Sequence, residues 1–218
     1  MNRMANPSVA ELQHSEKYKF VFRLHHNQIK EFVKQRLSEG GKIVFLFMVY
    51  QLLMTLTGLF FFTRAMLKAF NGFWEPLGFS LAALVFSFTL LIVIHELLHA
   101  FALKLTGAPV INFGAYFKKF IFYAEADRHV LNGKQFTLVA LTPLFVVQFV
   151  TAIALFFCIN HPFAYFIIMV MSIHSLFCAG DIGLFSVFYE FDEDTLFIFD
   201  VKEERCSCFY EKVQPKTD

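Results

Sequence analysis

His95, Glu96 and His99, in the stretch His95-Glu96-Leu97-Leu98-His99-Ala100, have the residue types and spacing to do chemistry together. Residues i and i+4 of a helix lie on one face about one turn apart, so both imidazoles of this HExxH pattern can reach a single metal ion. Glu96 falls about a hundred degrees round the helix from His95, close enough to take a proton from water at the metal without ligating it. The chemistry this predicts is metal-assisted hydrolysis, with Zn2+ as the ion. A catalytic zinc needs a third protein ligand and one open position.

The third ligand is sought among the acids of the apolar part of the chain, where there are only two, Glu96 and Asp181. Asp181 is the candidate. His174, seven residues before it, could stabilise a developing oxyanion, back a ligand histidine, or simply join two helices by a hydrogen bond. Gly180 and Gly183 flank Asp181, and small residues allow helices to approach closely. Thr142-Pro143 is expected to kink its helix and free backbone groups beside the site, and Gln148 reads as a link between helices.

These residues sit in four long apolar runs, residues 43–63, 78–103, 136–159 and 163–189, none of which contains Lys or Arg. About 20 apolar residues at 1.5 Å each cross a bilayer core, so each run is long enough to span. Of the 218 residues 57% are hydrophobic and 17% charged, with 32 Phe, and mean hydropathy is +0.55. Soluble domains carry about 25% charged residues. This composition excludes a disordered chain, an ordinary cytosolic enzyme and, with a net charge of +1, a nucleic-acid binder. His95 and Asp181 each lie eight residues from the end of their run, which places both at a similar depth, roughly 12 Å from one boundary.

The connections orient the runs. Lys and Arg number eight in residues 1–42, two in 64–77, five in 104–135, none in 160–162 and four in 190–218. Alternating sides put seventeen on one face and two on the other, and the basic face is the cytoplasmic one. The expected fold is thus an α-helical integral membrane protein. It has four transmembrane helices, small cytoplasmic α/β flanks and a β-prone middle loop, in a cell membrane with both termini cytoplasmic. The parts are a cytoplasmic N-terminal segment (1–42), a four-helix core (43–189) and a C-terminal hairpin tail (190–218).

Within the flanks, residues 17–24 alternate like a strand, and 27–39 read as a short amphipathic helix ending at Gly40-Gly41. Residues 110–126 are aromatic and β-prone, broken at Gly114 and at the Lys118-Lys119 pair. They are expected to form a strand pair at the membrane interface, able to anchor the chain there or to hold a substrate as an added strand. Residues 195–212 resemble a hairpin. Cys158 and Cys178 read as small hydrophobes in helices; Cys206-Ser207-Cys208 could bind a metal or be oxidised, though two ligands beside a charged turn are a weak metal signal.

His95-Glu96-Leu97-Leu98-His99-Ala100, then Leu141-Thr142-Pro143, then Ser175 and Cys178-Ala179-Gly180-Asp181-Ile182 resemble a family of small bacterial membrane proteins, the zincin peptidases. That family is distantly similar to the site-2 intramembrane metalloproteases. The resemblance covers roughly residues 80–190. It implies that His95, His99 and Asp181 bind zinc, that Glu96 is the catalytic acid/base, and that the partners are membrane lipid and a membrane-protein or peptide substrate. Two other readings keep the same residues: a non-hydrolytic metal-binding membrane protein (a carrier or degenerate regulator) and a scaffold whose polar groups only lock helices. Glu96 separates the first of these from a peptidase, because metal carriage needs no base beside the ligand pair.

Overall fold

The computed structural model describes residues 6–116, 121–191 and 195–213; Lys118 and Lys119 lie outside them. The first apolar run forms α3 (Lys42–Phe70), separated from α2 (Ile29–Glu39) by Gly40 and Gly41, whose φ values of 81° and 111° only glycine adopts without strain. The second forms α4 (Glu75–Phe86) and α5 (Ile92–Leu105), joined by a π-helical turn at Ser87–Leu91. The third forms α6 (Gly133–Cys158), with Pro143 inside it. α3, the continuous helix Glu75–Leu105 and α6 are long and apolar enough to cross a membrane.

The fourth run departs from the expected single span. It is two helices, α7 (Ala164–Phe177) and α8 (Ala179–Glu190), bent by 47°, and it counts as a fourth crossing only if both halves are taken together. The cause is local. Cys178 takes ψ −3°, which rotates its carbonyl out of the helical line before Ala179-Gly180. The first run also ends later than its apolar residues do, because α3 continues through Arg64 and Lys68 to Phe70. Long cationic side chains can leave an apolar layer while their backbone stays helical.

The chain divides into two compact units. One comprises Gly40–His95 and Leu141–Ile182 and is helical. Here α7 packs against α3 and α4, which pack against each other. Gly58 makes the α3–α7 approach possible, because a Cβ there would lie 2.3 Å from Ser172 Oγ. That hydroxyl donates to the Met54 carbonyl at 2.7 Å, and Gln51 Nε2 donates to Ser175 Oγ at 3.1 Å. Gln148 Nε2 donates to the Met171 carbonyl at 3.0 Å, the helix link its sequence position suggested. The outward faces stay apolar: Phe45, Leu52, Leu56, Leu59 and Phe60 of α3 are all exposed. Only 17% of the most apolar stretch of α3 is buried by protein, and 22% for each of the other two long helices, so these are not helices of a buried soluble core.

The other unit comprises Met1–Glu39, Glu96–Ala140 and Gly183–Asp218. Its centre is an antiparallel sheet of order β1-β6-β5-β4, made of β1 (Tyr18–His25), β4 (Leu131–Asn132), β5 (Leu196–Val201) and β6 (Cys206–Lys212). Three separate stretches of chain therefore meet in one sheet. Phe197, Phe199, Val201, Cys206 and Cys208 pack with Leu12 of α1 (Val9–His14) and with Val130. The two cysteines are core residues of this cluster. Phe22 stacks on Phe209 with ring centroids 4.2 Å apart and on Phe32 of α2 at 5.8 Å.

A separate hairpin pairs β2 (Asn112–Tyr116) with β3 (Ile121–Glu125). Gly114 does not break this segment. It sits within β2 opposite Tyr123, whose ring occupies the space a side chain would need, 2.3 Å from a built Cβ.

Near the end of β5, Asp200 accepts a hydrogen bond from Ser207 Oγ at 2.6 Å, and burial pushes its carboxyl up to about 7, with Glu125 and Asp127 adding to the rise. An unfolded aspartate titrates near 3.9. The folded chain therefore holds an extra proton between about pH 4 and 7, and stability falls as pH rises through that window. His26, lowered to about 4 chiefly by burial, acts oppositely and only below about 6.5. Between pH 6 and 8 the thermal midpoint of the wild type is expected to fall by a few degrees more than that of Asp200→Asn. Parallel melting curves across that range would show the expectation to be wrong.

Candidate metal centre

The π-helical turn at Ser87–Leu91 ends one residue before α5 begins, and His95 and His99 follow one turn apart on that helix. Both are buried, at 6% and 9% exposure. Buried imidazoles need partners, and each has one at Nδ1. His99 Nδ1 lies 2.9 Å from the Val139 carbonyl oxygen. In a helix that oxygen would accept from the N–H of residue 143, but residue 143 is proline and has none. Pro143 inside α6 thus leaves an acceptor open, and His99 fills it. With the proton held on Nδ1, Nε2 is the nitrogen of His99 that carries a lone pair able to ligate an ion.

His95 is flanked on both nitrogens. Nδ1 lies 3.2 Å from His174 Nε2, and Nε2 lies 3.2 Å from Asp181 Oδ2. His174 is fully buried, and its Nδ1 lies 3.7 Å from Cys178 Sγ. His174 and Asp181 reach opposite nitrogens of one ring because the chain turns between them at Cys178; a straight helix would point both the same way. His95 and His99 are fixed to each other by one turn of α5, and ligand atoms of His95, His99 and Asp181 lie within 4.8 Å of one another. Glu96, half-buried, is the next residue of that turn.

The donor set fits zinc. Two imidazole nitrogens and one carboxylate oxygen form a hydrolytic ligand set that leaves one position open. Ligand atoms about 2.0–2.1 Å from a tetrahedral ion stand roughly 3.3 Å from each other. The His95–Asp181 separation of 3.2 Å is such an edge. Among the described residues one other group could hold an ion: His95, His174 and Cys178, all buried.

Sequence reasoning missed Cys178 as a neighbour of the site, since a cysteine in an apolar run gives no sign of its partner. Its place four residues after His174, on one helical face, is the signal that was present. The flanking glycines divide. A Cβ at Gly183 would lie 2.9 Å from Val33 of α2, so that glycine serves packing within the sheet-bearing unit. Among the described residues nothing lies within 4 Å of a Cβ built at Gly180, so no close packing there calls for a glycine.

Long apolar helices, an HExxH turn and a carboxylate brought to its first histidine are the features of a zincin set among apolar helices. The family described as putative zincin peptidase matches residues 88–196, half of the chain, and the chain belongs to that family. No curated protein and no solved structure matches it.

Replacing Pro143 tests the geometry at His99. Pro143→Ala returns an N–H that competes for the Val139 carbonyl and weakens its hold on His99, and zinc affinity is expected to fall about 10-fold with the thermal midpoint unchanged or higher. Unaltered affinity in a chelator competition would show that this carbonyl does not matter.

Proposed function

We propose that this protein is a zinc-dependent peptidase acting within or at the surface of a membrane. The observation that carries the reading is the 3.2 Å approach of Asp181 to the imidazole of an HExxH histidine, across two separate apolar helices. His95, His99 and Asp181 hold the ion. An ion held by those three residues would supply Lewis acidity toward a carbonyl and a lowered pKa for water. Glu96 takes the proton of the attacking water and passes it to the leaving amine as the peptide bond breaks. His174 positions rather than reacts: with Nε2 of His95 committed to the ion, its Nδ1–H donates to His174, which holds the ring in place.

The proposed setting is a multi-pass protein of the cell membrane with both termini cytoplasmic. The sheet supports this arrangement. β1, β4 and the β5–β6 pair come from the three basic stretches 1–42, 104–135 and 190–218, and strands that hydrogen-bond to each other lie on one side of a bilayer. Among the described residues β2 and β3 form a two-stranded sheet of their own, and such a hairpin offers an extended substrate a strand to join.

Glu96→Gln is expected to keep zinc at wild-type stoichiometry and to lower peptide cleavage by roughly 10²–10⁴-fold. Retained cleavage would rule out the mechanism. The buried His95, His174 and Cys178 group favours a second reading, a closed non-hydrolytic metal site. Under it Cys178→Ala loses the ion and Asp181→Ala keeps it, whereas the peptidase reading expects the reverse.

A further inference from the structure

Within the helical unit, α3, α4, α6 and α7 enclose a cavity of about 480 Å³, in the size range of small-ligand clefts. It has two unlike ends. Met54, Leu155, Ile168 and Met171 line one end, and Arg64 and Lys68 with Asn160 and His161 line the other. The ends follow from the helices: Met54 accepts the Ser172 hydroxyl at the far part of α7, while Lys68 Nζ sits 5.8 Å from the Tyr165 ring at its start. The run of α7 along the cavity, from Ala164 to Met171, is about 10 Å.

Charge decides what this shape would take. Arg64 and Lys68 are four residues apart on one face of α3, and they are the only cations of residues 64–77. Among the described residues no acid lines the cavity. Among the described residues neither cation is in an ion pair, Lys68 resting over the Tyr165 ring instead. Two unneutralised cations at the mouth of an apolar slot call for a ligand with an anionic head and a hydrocarbon tail. A free inorganic anion would leave the apolar end without a partner, and a neutral lipid would leave the cations without one.

We propose that this cavity is a binding site for a single anionic phospholipid, its phosphate between Arg64 and Lys68 and one acyl chain along α7 toward Met54 and Met171. The proposal rests on the chain lying in a bilayer, as inferred above. A lipid held there reaches Met171, one turn before His174, so it bears on the helix that backs the metal centre.

The test uses the full chain, purified from membranes in detergent and titrated with phosphatidylglycerol or phosphatidylcholine of the same acyl chains, with bound lipid counted by native mass spectrometry. The wild type is expected to bind one phosphatidylglycerol about ten- to thirty-fold more tightly than phosphatidylcholine, from two cations near an anionic head. Arg64→Gln with Lys68→Gln should abolish the preference, Arg64→Lys with Lys68→Arg should keep it, and Lys19→Gln, on β1, should not alter it. Equal affinities in the wild type, or a preference that survives loss of both cations, overturn the proposal. Displacement by glycerol phosphate as readily as by the intact lipid also overturns it, since the site would then read only the anion. Extraction of the chain from membranes by alkaline carbonate would sink the membrane reading, and this site with it; equal lipid affinities in a chain that resists carbonate sink this site alone.

Discussion

The organisation of the centre rests on how the protein divides the two nitrogens of each buried imidazole. On His95 and His99 alike, Nδ1 is taken by a protein group, and Nε2 of His95 faces Asp181 Oδ2 at 3.2 Å. A buried imidazole with no partner on either side would be costly. The two partners are unrelated in kind. One is a backbone oxygen that a proline leaves without its helical donor; the other is a third histidine with a thiol beyond it.

The bend at Cys178 is the second constraint. An uninterrupted fourth helix would set His174 and Asp181 two turns apart on one face, able to approach His95 from one direction only. The 47° turn lets the first stand behind the imidazole and the second in front of it. Long apolar helices are packed mainly by shape, and here Gly58 and Ser172 hold α7 against α3 on the side away from that bend. The bent stretch is thus preceded, six residues earlier, by a close helix contact.

Much of this was legible in the residues. Acids are so rare in the apolar runs that Asp181 stood out without any geometry, and proline inside a run announced a freed carbonyl. What could not be read was the recipient of that carbonyl, because the contact joins residues forty positions apart. Cys178 looked inert because an apolar run hides which face a small side chain presents. Gly114 looked like a break because glycine is the absence of a side chain, and only the cross-strand position of Tyr123 shows that the absence is filled. The end of α3 was set too early because apolar runs stop at the first cation, while a helix does not.

The sheet carries a consequence for how the protein is made. β1 is synthesised near the start of the chain, yet its hydrogen-bonding neighbour is β6, whose first residue follows some 180 positions later. Until β6 leaves the ribosome, β1 presents an open edge while the apolar helices are already emerging. Closure of that sheet is a late, non-local step, and loop entropy makes such steps slow. Biogenesis therefore leaves a nascent chain whose HExxH helix is complete well before its sheet is, a window in which the unfinished edge is exposed to chaperones and proteases.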